Sequence, residues 1–217
     1  MNQDVRTKKL TTMAMVCAIA YLMVVVVRIP IIMFLSYEPK DVMITIGGFL
    51  FGPWASMIIS IIVCLIEMIT ISDTGFIGFI MNALSSCCFA CLAAWVYRKD
   101  RTFKKAALGL FLGILLSTVA MILWNYLLTP LYMGYPRKDV VAMLAPIILP
   151  FNLFKGGVNM AITLIIYKPI IAALQKSGML PPSVSSGKHQ TAGMVLTTFC
   201  VILTCILLYL AMTGKFL

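Results

Sequence analysis

The chain is predicted to be an all-α integral membrane protein, and two observations carry that prediction. Of its 217 residues 62% are hydrophobic and only 11% charged, a balance outside that of water-soluble domains. The apolar residues also fall into long runs, near 10–27, 42–71, 76–97, 106–128, 146–173 and 191–213. Each run reaches or exceeds the roughly 20 residues that cross a bilayer as helix, without the alternation of a barrel strand. Helices follow because lipid leaves closed barrels as the only other way to satisfy the backbone.

In chain order, the first run follows Arg6, Lys8 and Lys9 as a secretory signal would. It continues through Val27, longer than a signal core, and is read as a retained span. The run 42–71 is too long for one perpendicular helix. Gly52-Pro53 supplies a break, with glycine ending one helix and proline starting the next. Charge supports the break: two crossings bring Arg98, Lys99, Arg101, Lys104 and Lys105 to the same side as Arg6, Lys8 and Lys9, whereas one crossing separates them. Eleven of the seventeen basic residues then lie inside and five outside, with Lys155 left within a span, so the N-terminus is expected in the cytoplasm.

Pro146 and Pro150 place the start of the sixth helix near Pro150. A polar segment, 175–190, contains Pro181-Pro182 and links the body to a last apolar helix, 191–213, which is expected to bring the C-terminus outside. The expected organisation is a six-helix body over 1–174, a cytoplasmic linker over 175–190 and an additional C-terminal transmembrane helix within 191–217.

Several function classes are disfavoured. The seven cysteines all lie in apolar runs and are odd in number, so they are read as packing residues rather than disulfides or metal ligands. Cys88 and Cys91 form a C-x-x-C without a second ligand pair. The net charge of +10 sits at span ends, where it sets topology and does not call for nucleic acid. No phosphate-binding G-x-x-x-x-G-K-[ST] occurs, which disfavours an ATP-driven machine contained in this one chain. The only histidine, His189, is in the linker, and Asp73-Thr74-Gly75 is a single copy in a short turn. No catalytic or metal-binding residue is expected, and no resident cofactor.

Polar side chains inside spans are costly and mark cavities or partners. Asn152, Lys155 and Asn159 are spaced i, i+3, i+7 and share one helical stripe. Glu67, Asn82 and Asn125 fall at similar depth on other helices, and Glu67 can supply the negative charge that Lys155 needs. Two readings stand side by side: Lys155 snorkels and the amides tie helices together, or these six groups from four helices line a pocket open to the outside. Tyr37, Phe79, Trp124, Tyr126 and Phe151 lie at the same level as candidate apolar walls, where an interfacial aromatic belt is equally expected. Asp41 and Asp139 each follow a lysine before an apolar run and are candidate helix caps. The connection 29–41, with Tyr37, Lys40 and Asp41, is long enough to cover such a pocket as a lid.

A six-span core, the loop "PKDV" followed by "GGFLFGP", small residues early in the first helix and "PFNLFK" in the last core helix together resemble the riboflavin-binding S components of energy-coupling factor (ECF) vitamin transporters. The resemblance covers about residues 8–175, and the seventh helix departs from the usual six. It implies a bacterial plasma-membrane subunit that captures vitamin at the outer face. It also implies association with a transmembrane T component and two cytoplasmic ATPases, and toppling in the bilayer to release cargo inside. Asn152 and Lys155 are similar to the family element that contacts the flavin ring, and Ala14 and Ala18 resemble the A-x-x-x-A motif that docks the T component. Riboflavin enters as cargo, with its phosphate FMN as an alternative because Arg28, Lys40, Arg137 and Lys138 are expected outside. An ion-coupled carrier using Glu67 is the other transport reading.

Overall fold

A computed structural model describes residues 3–32, 35–72 and 75–176 together with positions 202 and 206. Residues 177–190 of the expected linker 175–190 and most of the additional helix 191–213 lie outside the described residues. The elements run α1 (Gln3–Val26), β1 (Ile29–Ile32), β2 (Leu35–Tyr37), α2 (Lys40–Phe51), α3 (Pro53–Thr70), α4 (Gly75–Asp100), α5 (Phe103–Met133), α6 (Arg137–Met143) and α7 (Leu149–Lys176), with a π-helical turn, Leu144–Ile148, joining the last two.

The break inside 42–71 is where the sequence puts it. Gly52 adopts φ +94°, a left-handed conformation that only glycine takes without strain, and Pro53 opens α3 at a position that needs no N–H. Five helices among the described residues are long and apolar enough to cross a membrane. The twelve residues of α2 are too few for that. Every residue from Lys40 to Leu50 is buried, with α1, α3, α4 and α7 packed around it. A helix enclosed on all sides needs no lipid-facing stripe, which is why α2 reads as uniformly apolar. Its glycines permit the close fit: a Cβ on Gly48 would stand 2.8 Å from Ala94 Cβ and 2.9 Å from Ser56 Cβ.

The α4–α5 contact rests on Gly109 and Gly113, one turn apart on α5. A Cβ at Gly113 would come within 2.5 Å of the Phe89 carbonyl oxygen, and one at Gly109 within 2.7 Å of that of Ala93. Backbone cannot yield as a flexible side chain can. Gly113→Ala is therefore expected to destabilise the bundle by about 1–3 kcal/mol despite the better helix propensity of alanine, read as a lower thermal midpoint in detergent.

Two of the predicted segments carry more structure than their composition announces. The connection expected as a lid contains a short antiparallel ribbon, Ile29 opposite Tyr37 and Pro30 opposite Ser36, within an otherwise helical chain. The last core helix begins at Leu149, beside Pro150 as expected, and α6 and the π-turn lead into it from Arg137 without a gap. The N–H of Leu149 bonds to the Leu144 carbonyl, the wider turn of a π-helix around Pro146.

Both basic clusters meet at one end of the bundle. Lys9 Nζ lies 5.9 Å from the Phe51 ring centroid, and Arg98 and Arg101 stand around the Gly52 break. At the opposite end Arg28 Nη1 donates to the Ile71 carbonyl oxygen (3.1 Å), and Arg137 covers the Tyr126 ring at 5.5 Å.

Candidate functional site

Near that opposite end the interior holds a network of buried charge. It begins on the ribbon side, where Arg28 Nε is 3.4 Å from Glu38 Oε1. Glu38 Oε2 accepts from Lys40 Nζ at 2.7 Å, and Lys40 also donates to Glu67 Oε2. Glu67 Oε1 in turn accepts from Asn82 Nδ2 at 2.9 Å. Lys40 is fully buried. Its position follows from α2 starting inside the bundle: the first turn points between α3 and α4, so the ammonium meets carboxylates instead of water.

Asp41 is the second centre. Ser86 Oγ donates to its Oδ1, Asn159 Nδ2 donates to Oδ2 at 3.3 Å, and Lys155 Nζ stands 3.8 Å from Oδ2. The Tyr37 hydroxyl donates to Asn159 Oδ1 at 3.0 Å, which ties the ribbon to α7. Three cations, Arg28, Lys40 and Lys155, thus balance three acids, Glu38, Asp41 and Glu67. Such balance is what makes burial of ionised groups tolerable. Burial alone would raise the Glu38 carboxyl, which lies between β2 and α2; Lys40, Lys155 and Arg28 outweigh it and hold the acid below its ordinary value.

The geometry sorts the sequence candidates. Asn152, Lys155 and Asn159 are all buried on one stripe of α7, and Phe151 is buried beside them. Glu67 and Asn82 join the network, but through Lys40: the acid beside Lys155 is Asp41, not Glu67. The expected capping roles of Asp41 and Asp139 are also corrected. Neither α2 nor α6 has a side-chain cap hydrogen bond, and Asp41 is turned inward to Ser86 and Asn159. Tyr37, Lys40 and Asp41, expected in a lid, are buried neighbours of the site, Lys40 and Asp41 forming the first turn of α2.

Asn125 is buried but bonds within its own helix, to the Met121 carbonyl and Thr129. Tyr126 is 38% exposed under Arg137. Ala14 and Ala18 face outward from α1.

Glu38 and Ser86 escaped sequence reasoning. Glu38 lies within the connection expected as a lid, where only Tyr37, Lys40 and Asp41 are singled out, and a serine in a span carries no charge to draw notice. The indole N–H of Trp124 is a further signal visible only in three dimensions, being buried without a partner.

Two groups of α7 keep unused capacity. Lys155 holds three N–H donors, yet its ion pair with Asp41 is beyond hydrogen-bond distance. Asn152 spends its Nδ2 on the Ile148 carbonyl at 2.8 Å, leaving its side-chain carbonyl free to accept. One turn of helix therefore presents a cation donor and an amide acceptor side by side, backed by Asp41.

Comparison with known proteins agrees with this architecture. The riboflavin transporter RibU of Staphylococcus aureus (strain TCH60) is 28% identical over 79% of this chain and 94% of its own length. RibU of Streptococcus thermophilus (strain ATCC BAA-250 / LMG 18311) is 31% identical over 46% of this chain and 51% of its own. A solved S component of a bacterial ECF transporter superposes with a TM-score of 0.66 at 28% identity, covering 78% of this chain and 98% of that one. Residues 8–167 match the family described as ECF transporter, substrate-specific component. The chain belongs to that family, whose members are membrane-embedded transport subunits and not enzymes.

Proposed function

We propose that the chain is the riboflavin-binding subunit of an ECF transporter. It captures the vitamin at the end of the bundle that holds the charge network and delivers it inward with a T component and two ATPase subunits. The observation that carries this reading is the pairing of Lys155, with donors to spare, and Asn152, with a free carbonyl, on one buried turn. The pyrimidine edge of a flavin alternates carbonyl acceptors with an N–H donor, so one ammonium and one amide oxygen a turn apart can meet it without leaving a polar group unpaired. Asn159 and Phe151 extend the same wall, and Glu67 and Asn82 support it from behind. Asn125 and the unpartnered Trp124 indole are candidate contacts for the ribityl hydroxyls.

Neutral riboflavin is favoured over FMN. Arg28 is engaged by Glu38, Lys40 is sealed between two carboxylates and Arg137 is stacked on Tyr126, so three of the cations that would meet a phosphate already have partners. Proton coupling through Glu67 is disfavoured on the same ground, because Lys40 neutralises it.

In this reading the basic end faces the cytoplasm and with it the N-terminus, following the positive-inside rule. Residues 1–174 form the binding body, and 175–190 lead to an additional spanning helix within 191–217. The outward-facing Ala14 and Ala18 meet the T component, where two helix backbones approach closely. Ala14→Leu with Ala18→Leu is expected to leave flavin binding intact and abolish co-purification of the T component and ATPases. Flavin binding itself is tested by the absorbance of the purified chain: a yellow chromophore released on denaturation is expected, and a colourless protein that takes up no added riboflavin contradicts the reading.

A further inference from the structure

The basic end, away from the charge network, holds a concave site. Where α2 stops and α3 starts, Phe49, Gly52, Pro53 and Trp54 line a cavity of about 150 Å³, closed on the other side by Arg98 and Arg101 at the end of α4. The neighbouring cations are committed elsewhere: Lys99 Nζ lies 4.8 Å above the Trp95 ring and Lys105 is 3.6 Å from Asp100. Arg98 and Arg101 have no acidic partner among the described residues, although both line the cavity. The α3 end adds donors, since it has no side-chain cap and no acidic residue in its first turn. The carboxyl end of α2 opposes it at the same place, so the guanidinium groups supply the net positive field.

Two flanking residues fix what kind of anion fits. Trp54 is 71% and Trp95 54% exposed, and indoles turned outward at a span end mark the headgroup level of a bilayer. An anion held between Arg98 and Arg101 therefore lies at the depth of lipid phosphates, with the Trp54 indole that lines the cavity alongside for the glycerol and upper acyl chain. A soluble phosphate would leave that face idle.

We propose that this cavity binds the phosphate of an anionic phospholipid in the leaflet at the basic end, a lipid site separate from the flavin site and independent of it. Guanidinium forks match phosphate oxygens two at a time, which a diffuse lysine cluster does not.

The test is native mass spectrometry of the full chain released from nanodiscs of equal phosphatidylglycerol and phosphatidylcholine. Wild-type protein is expected to retain phosphatidylglycerol selectively. Retention should fall about fivefold for Arg98→Gln or Arg101→Gln alone and about 25-fold for both. Lys104→Gln, an exposed cation outside the cavity, is expected to leave the retained lipid unchanged. An unaltered thermal midpoint identifies a folded double variant, and the single variants carry the test if the double does not fold. Equal retention of phosphatidylcholine, or undiminished phosphatidylglycerol in the variants, overturns the proposal. Displacement of the lipid by millimolar inorganic phosphate assigns the site to a soluble anion and overturns it as well. So does a double variant that keeps its lipid but loses the ATPase subunits, which would make the surface a protein contact.

Discussion

Replacing Lys40 by methionine is expected to cost about 3–5 kcal/mol of stability, seen as a fall in the thermal midpoint on the order of 10 °C. Lys40 is ion-paired with both Glu38 and Glu67, and it is fully buried. Methionine fills a similar volume, so the loss isolates charge from packing. Glu38 keeps Arg28, whereas Glu67 is left, among the described residues, with the Asn82 amide as its donor. The expected compensation follows: Lys40→Met with Glu67→Gln removes the stranded charge and should recover most of the loss, because exchanging a buried pair for neutral groups is far cheaper than breaking it. Equal midpoints for wild type and Lys40→Met would mean that the pair is not formed in the folded protein.

Lys155→Ala is expected to weaken riboflavin binding about 10- to 150-fold, the range for losing one hydrogen bond to a charged group. Its effect on folding should be smaller than that of Lys40→Met. Asp41 retains Ser86 and Asn159 as donors when the ammonium is gone, and Lys155 contributes only a long contact at 3.8 Å. The two lysines thus divide the roles: removing Lys40 lowers stability first, while removing Lys155 lowers affinity first. Asn152→Ala should weaken binding in the same assay by a smaller factor, since a neutral acceptor is lost.

Local chemistry explains which features were legible in the sequence. Gly52-Pro53 announces a helix break because each residue suits only its own side of one, and the structure breaks there. The spacing of Asn152, Lys155 and Asn159 gives their common face for the same reason, helical period alone deciding it. What depended on distant pairing was not legible. Depth arguments brought Glu67 and Lys155 to one level but could not say which acid faces which lysine; the inward turn of α2 gives Lys40 to Glu67 and Asp41 to Lys155. Pro146 and Pro150 marked the start of α7, but the π-turn and α6 that lead into it leave no mark on composition. Strands of four and three residues at 29–37 are shorter than any periodic signal can resolve.

The account stands most directly on a fluorescence titration of riboflavin with wild-type chain and with Lys155→Ala, both in detergent and both checked for folding by thermal midpoint. Saturable quenching at one flavin per wild-type chain is expected, with the variant curve displaced 10-fold or more toward higher protein concentration. Superimposable curves would remove Lys155 from the site, and absence of quenching by the wild-type chain would contradict flavin as the cargo.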